Sequence, residues 1–202
     1  MRYFILSGSH RVNSESRRVA EYFKNQISKI FPDDSTHVFS LEKNPIPLWD
    51  ESIWEGSEDW KKLWTPIKNE LNSADAIIVV SPEWAGMVTP GVKNFLLLAG
   101  GGSISHKPGL IVSVSAARNG AYPVSELRMS GTKNNQLCYI PEHIIVRDCA
   151  QQLKGDETKS EDDKYLRARI DYSIKLLREY AKALNLVRSS GVVDGKNYPY
   201  GM

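Results

Sequence analysis

Apolar and polar positions fall in blocks along the chain, and the blocks switch between two periods. Residues 2–7 form a short apolar run, while 74–81 (ADAIIVVS) and 109–115 (GLIVSVS) form unbroken ones bounded by polar residues. Unbroken runs of that length predict strands covered on both faces. Two further strands are predicted at His37 to Leu41 and at 138–146. Between strands the period lengthens. Val19, Phe23, Ile27 and Ile30 share one face of a helix over 14–31, the helical repeat.

Thr65-Pro66 predicts a helix start that runs to Leu71, with threonine as N-cap and proline at the first helical position. Thr89-Pro90 repeats that signature, and Gly100-Gly101-Gly102 stops the helix. A further helix is expected over 120–135. Ser160 with Asp163 resembles a capping box. It opens a long helix carrying Leu166, Ile170, Ile174, Leu177, Ala181 and Leu184 on one face. The segment 42–60 (EKNPIPLWDESIWEGSEDW) reads as a loop. Residues 1–185 are expected to form one domain, with 186–202 a C-terminal arm of unassigned role.

Strands alternating with helices imply a parallel sheet with helices on both faces and right-handed crossovers. Five strands favour the α/β flavodoxin-like three-layer sandwich, a five-stranded parallel sheet in order 2-1-3-4-5, over a larger Rossmann sheet. Ligands in such sheets bind at the carboxyl ends of the strands. Three loops therefore carry the chemistry: those after Ser7, Ser81 and Ser115.

Composition narrows the classes. The 202 residues suit one domain with an arm, and the 41% hydrophobic and 25% charged fractions are those of an ordinary globular protein. Net charge is +2 and the basic residues are dispersed, which argues against a nucleic-acid partner and against an acidic electron carrier. Cys138 and Cys149 form no CxxC pair and predict neither disulfide framework nor zinc site. The apolar start, Tyr3 to Leu6, is too short for a signal peptide, and no stretch approaches a membrane span. The expected location is cytoplasmic, with no membrane partner.

The first loop sets a puzzle. A helix N-terminus carries about half a positive charge, so a cation there costs about 0.3–1 kcal/mol. Yet Arg17 and Arg18 fall in the predicted first turn, with Arg11 just before it and only Glu15 to offset them. An anion would resolve this, held by Arg11, by the hydroxyls of Ser9, Ser14 and Ser16, and by free first-turn amides. Neither GxxxxGK[ST] nor GxGxxG is present, which favours a single phosphate monoester over a triphosphate or dinucleotide. The plain alternative is a serine-capped helix with exposed arginines.

The second loop (SPEWAGMVTPGVKN, 81–94) offers Pro82, Glu83, Trp84, Ala85 and Gly86 at a strand end. It can present backbone groups edge-on to a planar heteroaromatic ring, or Trp84 can simply plug the sheet. The third loop (SVSAARNGAYP, 113–123) brings Ser115, Ala116 and Arg118, a weak signal alone.

These stretches carry a family resemblance. GSHRVNSES is similar to the GSxRxxSxN phosphate loop of the NADPH-dependent FMN reductase family, and SPEWAGMVTPGVKN to that family's (T/S)PEYNGxxPGxxKN flavin loop. The likeness covers residues 2–147, including ELR at 126–128. It implies FMN as cofactor and NADPH or NADH as reductant. By residue, Ser9, Arg11, Ser14 and Ser16 would hold the phosphate. Pro82, Glu83, Trp84, Ala85 and Gly86 would line the isoalloxazine, and Ser115, Ala116 and Arg118 would close the other side. Ser16 departs from the family's asparagine and Trp84-Ala85 from Tyr-Asn, and the third loop lacks the customary glycine pair.

The implied activity is a ping-pong NAD(P)H oxidoreductase. Hydride passes to flavin N5, then on to a small acceptor: a quinone, azo, nitro, chromate or free flavin species. No side-chain catalyst and no metal are expected, because the cofactor carries the chemistry. His10, His37, His106 and His143 lack paired spacing, His10 reads as an ordinary loop residue, and the acids of 156–163 read as a solvated helix start. The family implies a homodimer or homotetramer. Trp49, Trp54, Trp60 and Trp64 would build a subunit contact or wall the site. The rival readings are a flavodoxin-type electron carrier and an FMN-binding interaction subunit.

Overall fold

The computed structural model describes residues 1–201. Five strands run parallel: β1 (Arg2–Ser7), β2 (Ser35–Ser40), β3 (Ala76–Trp84), β5 (Pro108–Val114) and β6 (Cys138–Val146). Their order is β2-β1-β3-β5-β6, the predicted 2-1-3-4-5 arrangement when only parallel strands are counted. One strand escaped the sequence reading. The two residues of β4 (Met87–Val88) fold back antiparallel onto the end of β3.

Why the strands read as unbroken apolar runs follows from the pleat, which sends successive side chains to opposite faces. Phe4, Leu6, Ile77, Val79 and Ile111 pack on one face against α2 (Glu58–Ser73), α3 (Pro90–Leu98) and α4 (Ala121–Met129). Tyr3, Ile5, Ile78, Val80, Leu110 and Val112 pack on the other against α1 (Glu15–Ile30) and α5 (Glu161–Ser189). Both faces are covered, so neither can be polar. The sheet's carboxyl edge is left to the loops.

Three helix boundaries differ from expectation. α2 starts at Ser57, whose Oγ accepts from the Trp60 amide, and Pro66 lies inside the helix rather than at its start. An apolar stripe of Trp60, Trp64, Ile67 and Leu71 extends the packing face upstream. Pro66 and Lys62, whose carbonyl it leaves without a helical partner, are both exposed, so the helix survives the loss at its solvent side. At the other end, buried Lys107 donates from Nζ to the carbonyls of Leu71 (2.6 Å) and Asn72 (2.9 Å). Burial pushes that amine down to about 8.

α4 ends at Met129 rather than 135, because Ser130 leaves the helix and Gly131 turns at φ +89°. The Asn135 side chain then holds the following turn, donating to the carbonyls of Leu96 and Gly131. α5 continues through Ser189, past residue 185. Its start is capped by Ser160, which accepts from the Asp163 amide. The buried Asp163 carboxylate serves the preceding loop instead of its own cap, accepting from Leu153 N (2.7 Å) and pairing with Arg167 (2.9 Å). No helix among the described residues is long and apolar enough to cross a membrane.

Candidate functional site

The loops after β1, β3 and β5 converge at the carboxyl edge of the sheet. Gly8 is the hinge of the first. Its amide donates to Val80 O at 2.8 Å, and its carbonyl accepts from Thr89 Oγ1 at 2.7 Å. A Cβ at Gly8 would lie 2.3 Å from Val92 Cγ2 and 2.9 Å from Val80 O. Only glycine lets the β1 exit pass this close to β3 and α3. Thr89, read from sequence as a cap for α3, makes no side-chain cap bond and serves as this tie.

Beyond Gly8, the four predicted phosphate residues share the approach to α1. Ser9 and Ser16 are almost fully buried, Ser14 is half-buried and Arg11 is exposed. Ser14 caps α1 by accepting at Oγ from Arg17 N, 3.1 Å away, and its carbonyl takes the Arg18 amide. Among the described residues, the amides of Glu15 and Ser16 have no acceptor within the chain. That leaves donors, with no opposing carboxylate, aimed off the helix start.

The arginines of the first turn behave otherwise than the sequence implied. Arg17 pairs with Glu21 at 2.7 Å. Arg18 pairs with Glu15 at 2.6 Å and donates to the carbonyls of Cys149 (2.7 Å) and Leu153 (2.9 Å). Their charges are answered inside the protein, by a carboxylate one turn away and by a loop distant in sequence. Neither needs an external anion. Arg11 is the cation left without a carboxylate partner among the described residues.

The second loop is a β-hairpin. Glu83 pairs with Val88 and Trp84 with Met87, so Ala85 and Gly86 alone make the turn, at φ +49° and +72°. Two left-handed residues define the turn type that matches strand twist, and Asn-Gly is its preferred occupant. Ala85 therefore sits where a Cβ costs about 1 kcal/mol. Pro82 is buried, Glu83, Trp84 and Gly86 are half-buried, and Ala85 is exposed.

Glu83 joins the second loop to the third, its Oε2 accepting from Gly120 N at 2.8 Å. Gly120 has φ +110°, and a Cβ there would fall 2.4 Å from Ile145 Cγ2. Ser115 is buried; its amide donates to Val146 O (2.9 Å) and its carbonyl accepts from Cys149 N (3.1 Å). Ala116 and Arg118 are exposed on the rim. All twelve predicted residues thus belong to one edge of the sheet, on three loops linked by Thr89 and Glu83.

Several residues that fasten this edge were missed as such from sequence. Glu126 accepts from Val88 N at 2.8 Å and faces Lys93 at 3.4 Å, so α4 braces the hairpin. Asn94 accepts from Trp49 N and donates to Pro47 O, both at 2.8 Å, tying segment 42–60 to α3. Lys93-Asn94 and Glu126 were visible as motif letters. Their tasks were not, because each partner is distant in sequence. His10 is also more than a surface residue. It is half-buried, its ring meets Trp84 edge-to-face at 5.6 Å, and burial lowers its pKa.

Of the four clustered tryptophans, Trp60 and Trp64 enter the core, with Trp64 edge-on to Phe95 at 5.5 Å. Trp49 and Trp54 stack edge-to-face at 4.7 Å on the wall of a groove of about 1350 Å³. That groove runs along the outer side of α3, from Pro90 to Leu98, and Tyr200 of the C-terminal segment edges it. Gly201 N donates to Lys133 O at 3.1 Å on the same rim.

Comparison with known proteins agrees with this fold. An FMN-dependent NADPH-azoreductase of Staphylococcus saprophyticus is 23% identical over 191 residues, 94% of this chain and 97% of that protein. A quinone reductase of Pseudomonas putida is 29% identical over 122 residues, 58% of this chain and 62% of that protein. The structure of FerB, a flavoenzyme NAD(P)H:(acceptor) oxidoreductase from Paracoccus denitrificans, shares the fold. Its TM-score is 0.71 at 15% identity, covering 89% of this chain and 98% of that one. The model of the NADPH-dependent FMN reductase family matches residues 1–152, and the chain belongs to that family.

Proposed function

We propose that the chain is an FMN-dependent NAD(P)H oxidoreductase whose cofactor lies across the three loops. One observation carries the reading. The α1 start offers unpaired amides, buried hydroxyls and an uncompensated Arg11, beside a hairpin braced independently of any ligand. The donor set fits a phosphate monoester. The first-turn carboxylate, Glu15, is spent on Arg18, which favours a dianion at the loop.

In this reading Ser9, Arg11, Ser14 and Ser16 hold the phosphate. Pro82, Glu83, Trp84, Ala85 and Gly86 line one side of the ring system, and Ser115, Ala116 and Arg118 the other. Bound FMN supplies the hydride-accepting and electron-donating chemistry. The protein's own work is to fix the ring between two loops and leave a rim through which reductant and acceptor take turns. Glu83 is not a proton donor in this scheme, because its carboxylate is committed to the Gly120 amide.

NADPH or NADH is the reductant, and the names of the two relatives make azo compounds and quinones the first acceptors to try. The protein works as a homo-oligomer, with a second copy over the α3 groove. Leu48, Trp54 and Leu97 line that groove yet are more than half exposed, an apolar surface that lone proteins seldom leave open. With two free thiols, it operates in the reducing cytoplasm. Residues 1–185 form the FMN-binding domain, and 186–202 is a C-terminal arm that leaves from the last turn of α5 and brings Tyr200 to the groove.

The test is titration with FMN, followed by NADPH oxidation with a quinone in steady state. The purified protein should bind FMN and turn over. A yellow protein that NADPH does not reduce would sink the enzymatic reading, and one that takes up no FMN would sink the cofactor as well.

A further inference from the structure

His10 lies inside the phosphate loop, yet its ring contacts the flavin loop and the start of α3. The ring meets the Trp84 indole at 89° with centroids 5.6 Å apart. It also lies against the first turn of α3. A Cβ on Gly91 would lie 2.0 Å from His10 Nε2 and 3.0 Å from both Cδ2 and Cε1. The imidazole therefore fills a slot between the hairpin and α3 that exists because residue 91 has no side chain.

The main chain fixes the ring's origin. His10 O accepts from Lys43 N at 3.0 Å, and Gly8, two residues earlier, is held by Val80 and Thr89. The contact between the imidazole and the indole is one of ring packing, edge to face. Trp84 ends its strand at the hairpin turn, and the His10 ring is its aromatic neighbour there.

We infer that His10 is a positioning residue for the flavin ring: wedged over Gly91, it sets the plane of Trp84 against which the ring packs. Three elements thereby meet in one contact, with the phosphate loop orienting a wall of the flavin loop. The inference rests on the flavin reading above. It adds that residues 10, 84 and 91 act as a unit at the ring end of the cofactor, although residue 10 belongs to the phosphate loop.

The experiment separates the two ends of the cofactor by titrating FMN and riboflavin, which lacks the phosphate, into the full chain and its variants. His10→Ala should raise both dissociation constants by the same factor, about threefold to tenfold for loss of an aromatic edge contact. His10→Phe, which retains an aromatic edge, should restore most of that loss. Gly91→Ala, which evicts the ring, should reproduce the His10→Ala pattern while circular dichroism shows a folded protein.

If His10→Ala weakens FMN but spares riboflavin, the imidazole is a phosphate ligand and the inference is wrong. It is equally wrong if neither constant moves, or if His10→Phe is no better than His10→Ala. Wild-type protein that binds neither flavin would instead overturn the cofactor reading. Should His10→Ala fail to fold, the Gly91→Ala and His10→Phe titrations decide the matter alone.

Discussion

The first and second loops meet at one edge of the sheet and are held in opposite ways. The hairpin after β3 is braced by two neighbours, by Gly120 on Glu83 and by Glu126 on Val88. The loop after β1 accepts at Ser9 and Ser14 Oγ from its own backbone yet keeps its hydroxyl protons, the Glu15 and Ser16 amides and Arg11 uncommitted, while Arg17 and Arg18 are drawn into internal pairs. A wall for a flat ring needs rigidity before the ligand arrives, since each loop ordered on binding subtracts from affinity. An anion cradle needs the reverse: donors that the protein itself does not satisfy. The contrast is therefore evidence of division of labour, and it can be broken.

The largest effect should come from the brace between the second and third loops. Gly120→Ala places a Cβ 2.4 Å from Ile145 Cγ2 at φ +110°, and overpacking plus backbone strain should cost about 3 kcal/mol. Urea unfolding measures it; a loss below about 1 kcal/mol would show that Ile145 yields and the brace is soft. Next is the cradle. Arg11→Ala removes one charged hydrogen-bond donor and should weaken FMN about 10- to 100-fold, with riboflavin affinity and unfolding midpoint unchanged. A parallel loss for riboflavin would move Arg11 away from the phosphate.

Arg18→Ala sharpens the comparison within one helical turn. Combined with Glu15→Gln, so that no carboxylate is released beside the cradle, it deletes the bonds to Cys149 O and Leu153 O and should cost about 1–2 kcal/mol of stability, leaving FMN affinity as it was. FMN binding damaged as badly as by Arg11→Ala would return this arginine to the anion site. The smallest effect has the opposite sign. Ala85→Gly relieves a left-handed alanine at φ +49° and should stabilise the hairpin by about 0.5–1 kcal/mol, read from the same unfolding curves. No gain would mean that the turn stores no strain.

Much of this was legible in the chain itself. Unbroken apolar runs gave the parallel sheet, and Ser14 and Ser160 were recognised as helix starts, because caps and periodicity are local properties. Local signals also misled. Thr65-Pro66 looked like a helix start, but the stripe from Trp60 to Leu71 and the Ser57 cap carry α2 past it. Thr89 does stand at the N-cap of α3, as read, but its hydroxyl goes to Gly8 O instead of a first-turn amide. In each case the residue type was right for the local role, and a partner elsewhere in the fold claimed it.

The sequence by itself determined the sheet, its carboxyl-edge loops and the residue types a phosphate and a flat ring require, since strand period, turn residues and hydroxyl-rich helix starts are written within a few positions. Only the tertiary structure decided which charges are available. Glu21 and the carbonyls of Cys149 and Leu153 satisfy Arg17 and Arg18, and nothing of the kind reaches Arg11. It also decided that His10 belongs with Trp84 and Gly91. A charge or a ring acquires its function from its neighbours, and neighbours across a parallel sheet lie tens of residues apart in the chain.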